Sequence, residues 1–175
     1  MWDPEKYLRF ADHRARPFFE LCQRIDAPAP TKVVDLGCGP GNLTVSLRQR
    51  WPDAELVAID SSPEMVAAAR ERGLAAEVAD VNDWVPDAST DVVVCNAVLQ
   101  WVPQHDRLLR RWVSRLPTGA WLAFQVPGNF DQPSHTIVRE LARSPAWRGQ
   151  IGRVGCADPD EQVGGLRTPD VVLDS

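Results

Sequence analysis

Three glycines at alternate positions follow a short apolar run and an acidic residue: Val33-Val34-Asp35-Leu36-Gly37-Cys38-Gly39-Pro40-Gly41. Directly afterwards Leu43, Leu47 and Trp51 recur at helical spacing. This pattern specifies a buried strand feeding a tight loop that opens a helix. Glycine enters backbone conformations closed to other residues, and without a Cβ it lets main-chain N–H groups approach a ligand. The helix N-terminus beyond such a loop favours negative charge. The rest of the chain is arranged around that unit.

Upstream, Phe18, Phe19, Leu21, Cys22 and Ile25 predict a helix with one apolar face starting near Pro17, preceded by an aromatic cluster of Tyr7, Leu8 and Phe10. Pro28-Ala29-Pro30 breaks it and separates an N-terminal helical cap segment, residues 1–30, from the remainder of the chain. Downstream, strand and helix alternate. Leu56 to Asp60 predicts a second strand, and Ser62-Pro63-Glu64 carries the residues of a helix start, with Ser62 as the cap. That helix stops at Gly73. Ala76 to Ala79 and Asp91 to Cys95 predict a third and a fourth strand. Leu108, Leu109, Trp112, Val113 and Leu116 mark a helix, Trp121 to Val126 a fifth strand, and residues 135–143 a last helix with Ile137, Val138 and Leu141 facing the core. The alternation implies an α/β fold, a doubly wound parallel sheet spanning residues 31–150. Ligands of such sheets bind beyond the carboxyl ends of the strands. Asp35, Asp60, Asp80 and Asn96 all fall at or just past strand ends and should line one edge.

A length of 175 residues suits one domain. The net charge of -5 argues against a nucleic-acid binder. Cys22, Cys38, Cys95 and Cys156 make no C-x-x-C pair and no zinc spacing, so free thiols in a reducing compartment are expected and no metal site is. The N-terminus lacks an apolar signal core, and no stretch reaches the length of a membrane span. A cytoplasmic location is the expectation. The pattern assigns no oligomeric state.

Among ligands held by glycine loops, a nucleotide phosphate needs Gly-Lys-Ser/Thr, which is absent. A dinucleotide needs G-x-G-x-x-G, and Asn42 stands where the third glycine belongs. Asp35 to Gly41 resembles instead the first motif of the class I S-adenosylmethionine-dependent methyltransferases, an acidic residue followed by x-G-x-G-x-G. The resemblance implies a Rossmann-like sheet with Asp35 and the loop Gly37, Cys38, Gly39 and Gly41 under the methionine part of S-adenosylmethionine. It implies Asp60, with Ser61 beside it, at the ribose hydroxyls, Asp80 and Val81 flanking the adenine, and Asn96 beside the sulfonium. A carboxylate suits the ribose because it accepts both hydroxyl protons. Asp60 also reads as a cap for the next helix.

Several separate blocks narrow the likeness. Trp2-Asp3-Pro4 with Tyr7, Arg14-x-Arg16-Pro17, Asp60 to Met65, Asn96 to Pro103 and Gln125 to Asn129 are similar to trans-aconitate 2-methyltransferases, over residues 1 to about 145. That resemblance implies methylation of one carboxylate of a small tricarboxylic acid. Cations are then needed, with arginine forks matching carboxylates. Arg14 and Arg16 lead, with His13, His105 and Arg107 behind them. Tyr7 and Trp101 are candidates to wall the sulfonium or the substrate; core packing is the other reading of Trp101 and of Trp112. No catalytic residue is named, and His135 reads as a helix-start residue without chemistry. After about Gln150 the pattern fails. Residues 151–175 are expected to form a loose or disordered tail, with Val171-Val172-Leu173 at most a strand stub. The expected fold is therefore a shortened one of five strands, with the C-terminal strand pair missing and the fifth strand an exposed edge. The alternatives are a non-catalytic cofactor-binding remnant and a methyltransferase for another small organic acid.

Overall fold

The structure, a computed structural model, describes residues 11–128, scattered positions between 132 and 145, and 171–174. Its elements in chain order are helix α1 (Ala11–Gln23), strand β1 (Lys32–Leu36), α2 (Thr44–Arg50), β2 (Glu55–Asp60), α3 (Pro63–Glu71), β3 (Ala76–Val78), β4 (Val92–Asn96), a 3-10 turn (Leu99–Trp101), α4 (His105–Val113), β5 (Trp121–Gln125) and β6 (Val171–Asp174). One sheet runs in the order β3-β2-β1-β4-β5-β6. The first five strands are parallel. The order reverses between β1 and β4, the place where a parallel sheet opens a crevice. Register puts Leu36 beside Ile59, Asp60 beside Val78 and Asn96 beside Gln125. The residues just past each strand therefore emerge along one edge.

Strand alternation sorts the core onto two faces. Val34, Leu36, Ile59, Val93, Cys95 and Leu122 pack with Leu108 and Trp112 of α4. Val33, Val92, Val94 and Ala123 face the other way, against Phe18, Leu21 and Cys22 of α1 and Leu47 of α2. Ala58 and Ala76 meet Val66 and Ala69 of α3 on that second face. Trp112 is fully buried; its ring sits edge-on to Trp84 at 5.6 Å, and its Nε1 donates to the Trp84 carbonyl at 3.3 Å.

The local signals for α3 act as the sequence leads one to expect. Ser62 Oγ accepts from the Met65 N–H at 3.3 Å and Pro63 occupies the first helical position. At the other end Gly73 has φ +75°. Its N–H donates to Arg70 and the Leu74 N–H to Ala69, the paired bonds of a Schellman ending.

Three expectations are corrected. Helix α1 already runs from Ala11 in the described residues instead of starting near Pro17, which lies inside it. Proline in a helix interior forfeits one main-chain bond, and the burial of Phe18, Leu21 and Cys22 offsets that loss. The sheet does not end at β5, which is therefore no open edge: β6 pairs antiparallel with it, Trp121 opposite Asp174 and Phe124 opposite Val171. The stub Val171-Val172-Leu173 marks this strand in the sequence, but four residues carry too little pattern to reveal that it pairs with β5. Ile137 and Leu141 are about half exposed, at 53% and 52%, instead of facing the core. The expected loose tail over 151–170, the aromatic cluster ahead of α1, and most of the helix expected over 135–143, His135 included, lie outside the described residues. No helix among the described residues is long and apolar enough to cross a membrane.

Candidate functional site

The three glycines of the loop serve different purposes. Gly37 has φ +78°, and a Cβ there would come within 2.1 Å of Val98 Cγ2. Gly41 has φ +77°, and its Cβ would meet Leu74 Cδ1 at 2.5 Å and Ala69 at 3.0 Å. Both are glycine because the protein packs against them. Gly39, at φ +56°, has no heavy atom within 4 Å of such a Cβ. Internal packing therefore does not account for a glycine at that position, and its Cβ side is open to a ligand.

The loop is not a phosphate cradle. The N–H groups of Gly37 and Cys38 both donate to the Ile59 carbonyl, at 2.7 and 2.9 Å, and that of Gly41 to Cys38. The Gly39 N–H donates to Asp60 Oδ2 at 2.8 Å. The main-chain donors that would meet an anion are occupied, and a carboxylate stands beside them. The second oxygen of Asp60, Oδ1, accepts the Ser62 N–H at 2.9 Å, so Asp60 does cap the turn into α3. A carboxylate has about four acceptor positions, which leaves room for ligand hydroxyls on both oxygens.

Around this loop the strand ends supply further acceptors. Asp80 is exposed, and its Oδ1 takes both the N–H and the side-chain amide of Asn82, at 2.8 and 2.9 Å. Its other oxygen takes part in neither bond. Asn96, closing β4, has its Oδ1 buried and without a partner. Ser61 is exposed beside Asp60. Carboxylates and an unpaired amide oxygen at one edge favour a ligand that brings hydroxyls, amines or positive charge. An orphaned acceptor and an open glycine fit S-adenosylmethionine, which carries all three.

Not every residue expected at the site faces it. Asp35 is only 3% exposed and lies under the loop, where its Oδ2 accepts from Thr44 Oγ1 at 2.6 Å and pins the first residue of α2. Cys38 is buried among Ala58, Val66 and Ala69. Burial first, and then the charges of Asp35 and Asp60, push its thiol up to about 12. Val81 is in the core, so only its main chain is placed to meet a ligand. Trp101 stands out at 67% exposed in the turn behind β4, which removes the core reading for it and leaves Trp112 as the core residue. Arg16 pairs with Glu20 at 2.7 Å on the exposed face of α1. His105 touches the Val102 carbonyl through Nδ1 at 3.3 Å, and Arg107 is exposed. Tyr7 and the side chains of His13 and Arg14 lie outside the described residues. Concavities of about 470 Å³ beside α1 and about 290 Å³ around Pro28 to Ala54 are lined by no residue of the loop or of the strand ends.

Two residues escape a reading of the sequence. Arg111 of α4 donates to the carbonyls of Asn82 and Trp84, the latter at 3.2 Å, and so ties down the segment after Asp80. Gln100 donates to the Ala97 carbonyl at 2.6 Å. Arg111 belongs to no motif, and only the fold brings it to its partners; Gln100 lies in the Asn96 to Pro103 block and bonds three residues back, yet the block assigns it no role.

Asp35 also gives the site a pH signature. Burial raises its carboxyl from 3.8 to about 6; the Thr44 bond opposes the rise and the charge of Asp60 adds to it. Between those values the folded protein holds a proton that the unfolded chain has released. This group's contribution to stability is therefore largest at low pH and declines as pH rises through that window. At ~1.4 kcal/mol per unit the decline is on the order of 3 kcal/mol. Asp35→Asn keeps an acceptor for Thr44 and removes the charge. Urea midpoints from pH 4 to 7 are expected to lose this decline, with the variant ~1–3 kcal/mol more stable than the parent at pH 7. An undiminished decline in the variant would assign it to another group.

A family model described as a methyltransferase domain matches residues 7–168. The trans-aconitate 2-methyltransferase of Rhodococcus jostii strain RHA1 is 71% identical over 147 residues, covering 84% of this chain and 58% of that protein. Its counterpart of the same name in Mycobacterium sp. strain KMS is 64% identical over the same shares. The chain thus spans a little over half the length of these curated relatives. Among solved structures, an S-adenosylmethionine dependent methyltransferase from Mesorhizobium loti superposes with a TM-score of 0.57 at 26% identity, over 66% of this chain and 55% of that one. A parallel sheet with its acceptors gathered at one edge, and a family match across nearly the whole chain, lead to one conclusion: the chain belongs to the methyltransferase-domain family.

Proposed function

We propose that this chain binds S-adenosylmethionine at the carboxyl edge of its sheet and transfers the methyl group to a carboxylate of trans-aconitate, giving a monomethyl ester. The observation that carries the substrate is the 71% identity with the Rhodococcus protein of that name. The observation that supports the cofactor is the pairing of the open Gly39 with the unpartnered Asn96 Oδ1 across the β1/β4 crevice.

When bound, S-adenosylmethionine supplies an electrophilic S-methyl group. Asp60, held by Gly39 and Ser62, presents its remaining acceptor positions to the ribose hydroxyls, with Ser61 beside it. Asp80, whose Oδ1 is engaged by Asn82, offers Oδ2 to the exocyclic amine of the adenine, and the main chain of Val81 lines that pocket. The Gly37 to Gly41 main chain underlies the methionine part, with Asp35 and Cys38 acting from beneath by holding the loop's shape. Asn96 turns its free oxygen toward positive charge. Trp101 offers an exposed aromatic face to the cation or the substrate. A substrate carboxylate is ionised at neutral pH, its pKa being near ~4, so no side chain has to take a proton from the nucleophile. Orientation and removal of water then supply much of the rate, on the order of 7–11 kcal/mol in favourable cases. Tyr7 and Arg14, from the segment ahead of the sheet, are assigned to the substrate. Arg16 joins them only by exchanging Glu20 for a substrate carboxylate. Residues 1–30 form the cap on this reading and 31–150 the cofactor unit. The buried free thiols Cys22, Cys38 and Cys95 are in keeping with a reducing, cytoplasmic setting.

A second reading is kept beside the first. It is a chain that binds the cofactor and does not turn over. One experiment separates the two. Purified protein is incubated with S-adenosylmethionine and trans-aconitate, and binding of S-adenosylhomocysteine is measured by calorimetry in parallel. Monomethyl ester above the no-enzyme control is expected. Binding without ester selects the second reading, and no binding removes both.

A further inference from the structure

Gln100 is a buried polar residue that the cofactor reading leaves unused. It lies in the 3-10 turn behind β4 and is 6% exposed. Its Nε2 donates to the Ala97 carbonyl at 2.6 Å. A main-chain carbonyl only accepts, so the bond itself sets which way the amide faces; Oε1 is left buried without a partner. Ala97 has φ +57°, in the left-handed region that alanine seldom enters. Both flanks of this strained residue are committed. Its N–H donates to the Gln125 carbonyl at 2.8 Å. The next residue, Val98, occupies the space a Cβ on Gly37 would need. The Gln100 amide is thus the side-chain bond on the carbonyl flank of a strained turn, and that turn seats Val98 on the first glycine of the loop.

We propose that Gln100 is a positioning residue for the cofactor site: by keeping Ala97 left-handed it presses Val98 against Gly37 and sets the spacing between Asn96 and the glycine loop. The ligand in this proposal rests on the cofactor reading above; the lock itself is a property of the ligand-free protein. Gln100→Leu removes donor and acceptor together. Gln100→Glu keeps an acceptor and, when ionised, has no donor. Ala97→Gly takes away the need for a lock, since glycine adopts a positive φ freely.

The test uses the full chain and two readouts, amide hydrogen exchange and calorimetric binding of S-adenosylhomocysteine. Both Gln100 variants are expected to speed exchange at Ala97 and Gly37 and to weaken binding, each by about tenfold, a coupling of the size seen between contacting residues. Exchange at Val33 and Val34 in β1 should not change. Adding Ala97→Gly to Gln100→Leu should recover most of both losses, an outcome that a merely structural role for Gln100 does not give. Unchanged exchange at Ala97 and Gly37 overturns the proposal. So does a Gln100→Glu variant that behaves like the parent while Gln100→Leu is impaired, and so does a double variant with no recovery. A parent chain that binds no S-adenosylhomocysteine, yet loosens at Ala97 and Gly37 when Gln100 is replaced, supports the lock and overturns the cofactor reading alone.

Discussion

Gly39→Ala is expected to weaken cofactor binding while leaving the fold standing, whereas Gly37→Ala is expected to damage both. The two positions are separated by one residue and share a positive φ, so backbone strain is common to them, roughly 1–2 kcal/mol for an L-residue in the left-handed region. What differs is the space. Around Gly39 a methyl group meets nothing within 4 Å, while at Gly37 it would lie 2.1 Å from Val98 Cγ2. Overpacking of that kind costs a further ~1–3 kcal/mol. Gly39→Ala should therefore lose about 1–2 kcal/mol in urea unfolding, and Gly37→Ala about 2–5 kcal/mol. Affinity for S-adenosylhomocysteine should fall in Gly39→Ala on the order of 100-fold, about 2.7 kcal/mol, because in the proposed binding mode the new methyl meets the ligand. Parent-like affinity in a well-folded Gly39→Ala would place the ligand elsewhere.

Asp60→Ala should give the largest loss of binding from any single side chain. Asp60 joins β2 to the loop after β1 through Gly39 and starts α3 through Ser62. Hydrogen bonds to a charged group contribute about 1.5–3 kcal/mol each. Alanine removes both, for a destabilisation of ~2–4 kcal/mol after local relaxation, and it removes the acceptors assigned to the ribose. Binding of S-adenosylhomocysteine is expected to weaken more than 100-fold, on the order of 3 kcal/mol. Asp60→Asn refines the test, since an amide supplies one acceptor oxygen for two main-chain donors. It also withdraws the charge that helps hold the Asp35 carboxyl up. Stability of Asp60→Asn should therefore decline with pH from a lower midpoint than in the parent. An unshifted midpoint would remove the electrostatic link between the two aspartates.

Much of the fold is legible in the sequence because its signals are local. Ser62, Pro63 and Glu64 start α3, and Gly73 ends it, through contacts within a few residues. The run Val92-Val93-Val94-Cys95 is apolar on both faces and is buried on both. Pro17 misleads for the opposite reason: its local preference for a helix start yields to the burial of Phe18 and Leu21 against distant strands. The strand at 171–174 shows in the sequence only as the apolar stub Val171-Val172-Leu173; its pairing with β5 is hidden because that partner lies about 50 residues away.

The candidate site divides along the same line. Sequence alone determined which residues reach the sheet edge, because the ends of parallel strands follow from the strand–helix alternation and from the glycine loop. Tertiary structure alone decided which way each of them faces. Asp35, Cys38 and Val81 go inward, while Gly39, Asp60, Asp80 and Asn96 keep an open side or a free acceptor. It also decided what the loop does not hold. The amides of Gly37, Cys38 and Gly39 look available to a phosphate in the sequence, yet Ile59 and Asp60 of the neighbouring strand already accept from them. Those partners lie 21 and 22 residues away and meet the loop only through the β1/β2 register. A hydrogen bond across that distance is a property of strand pairing, and pairing is set by burial of both faces of the sheet at once.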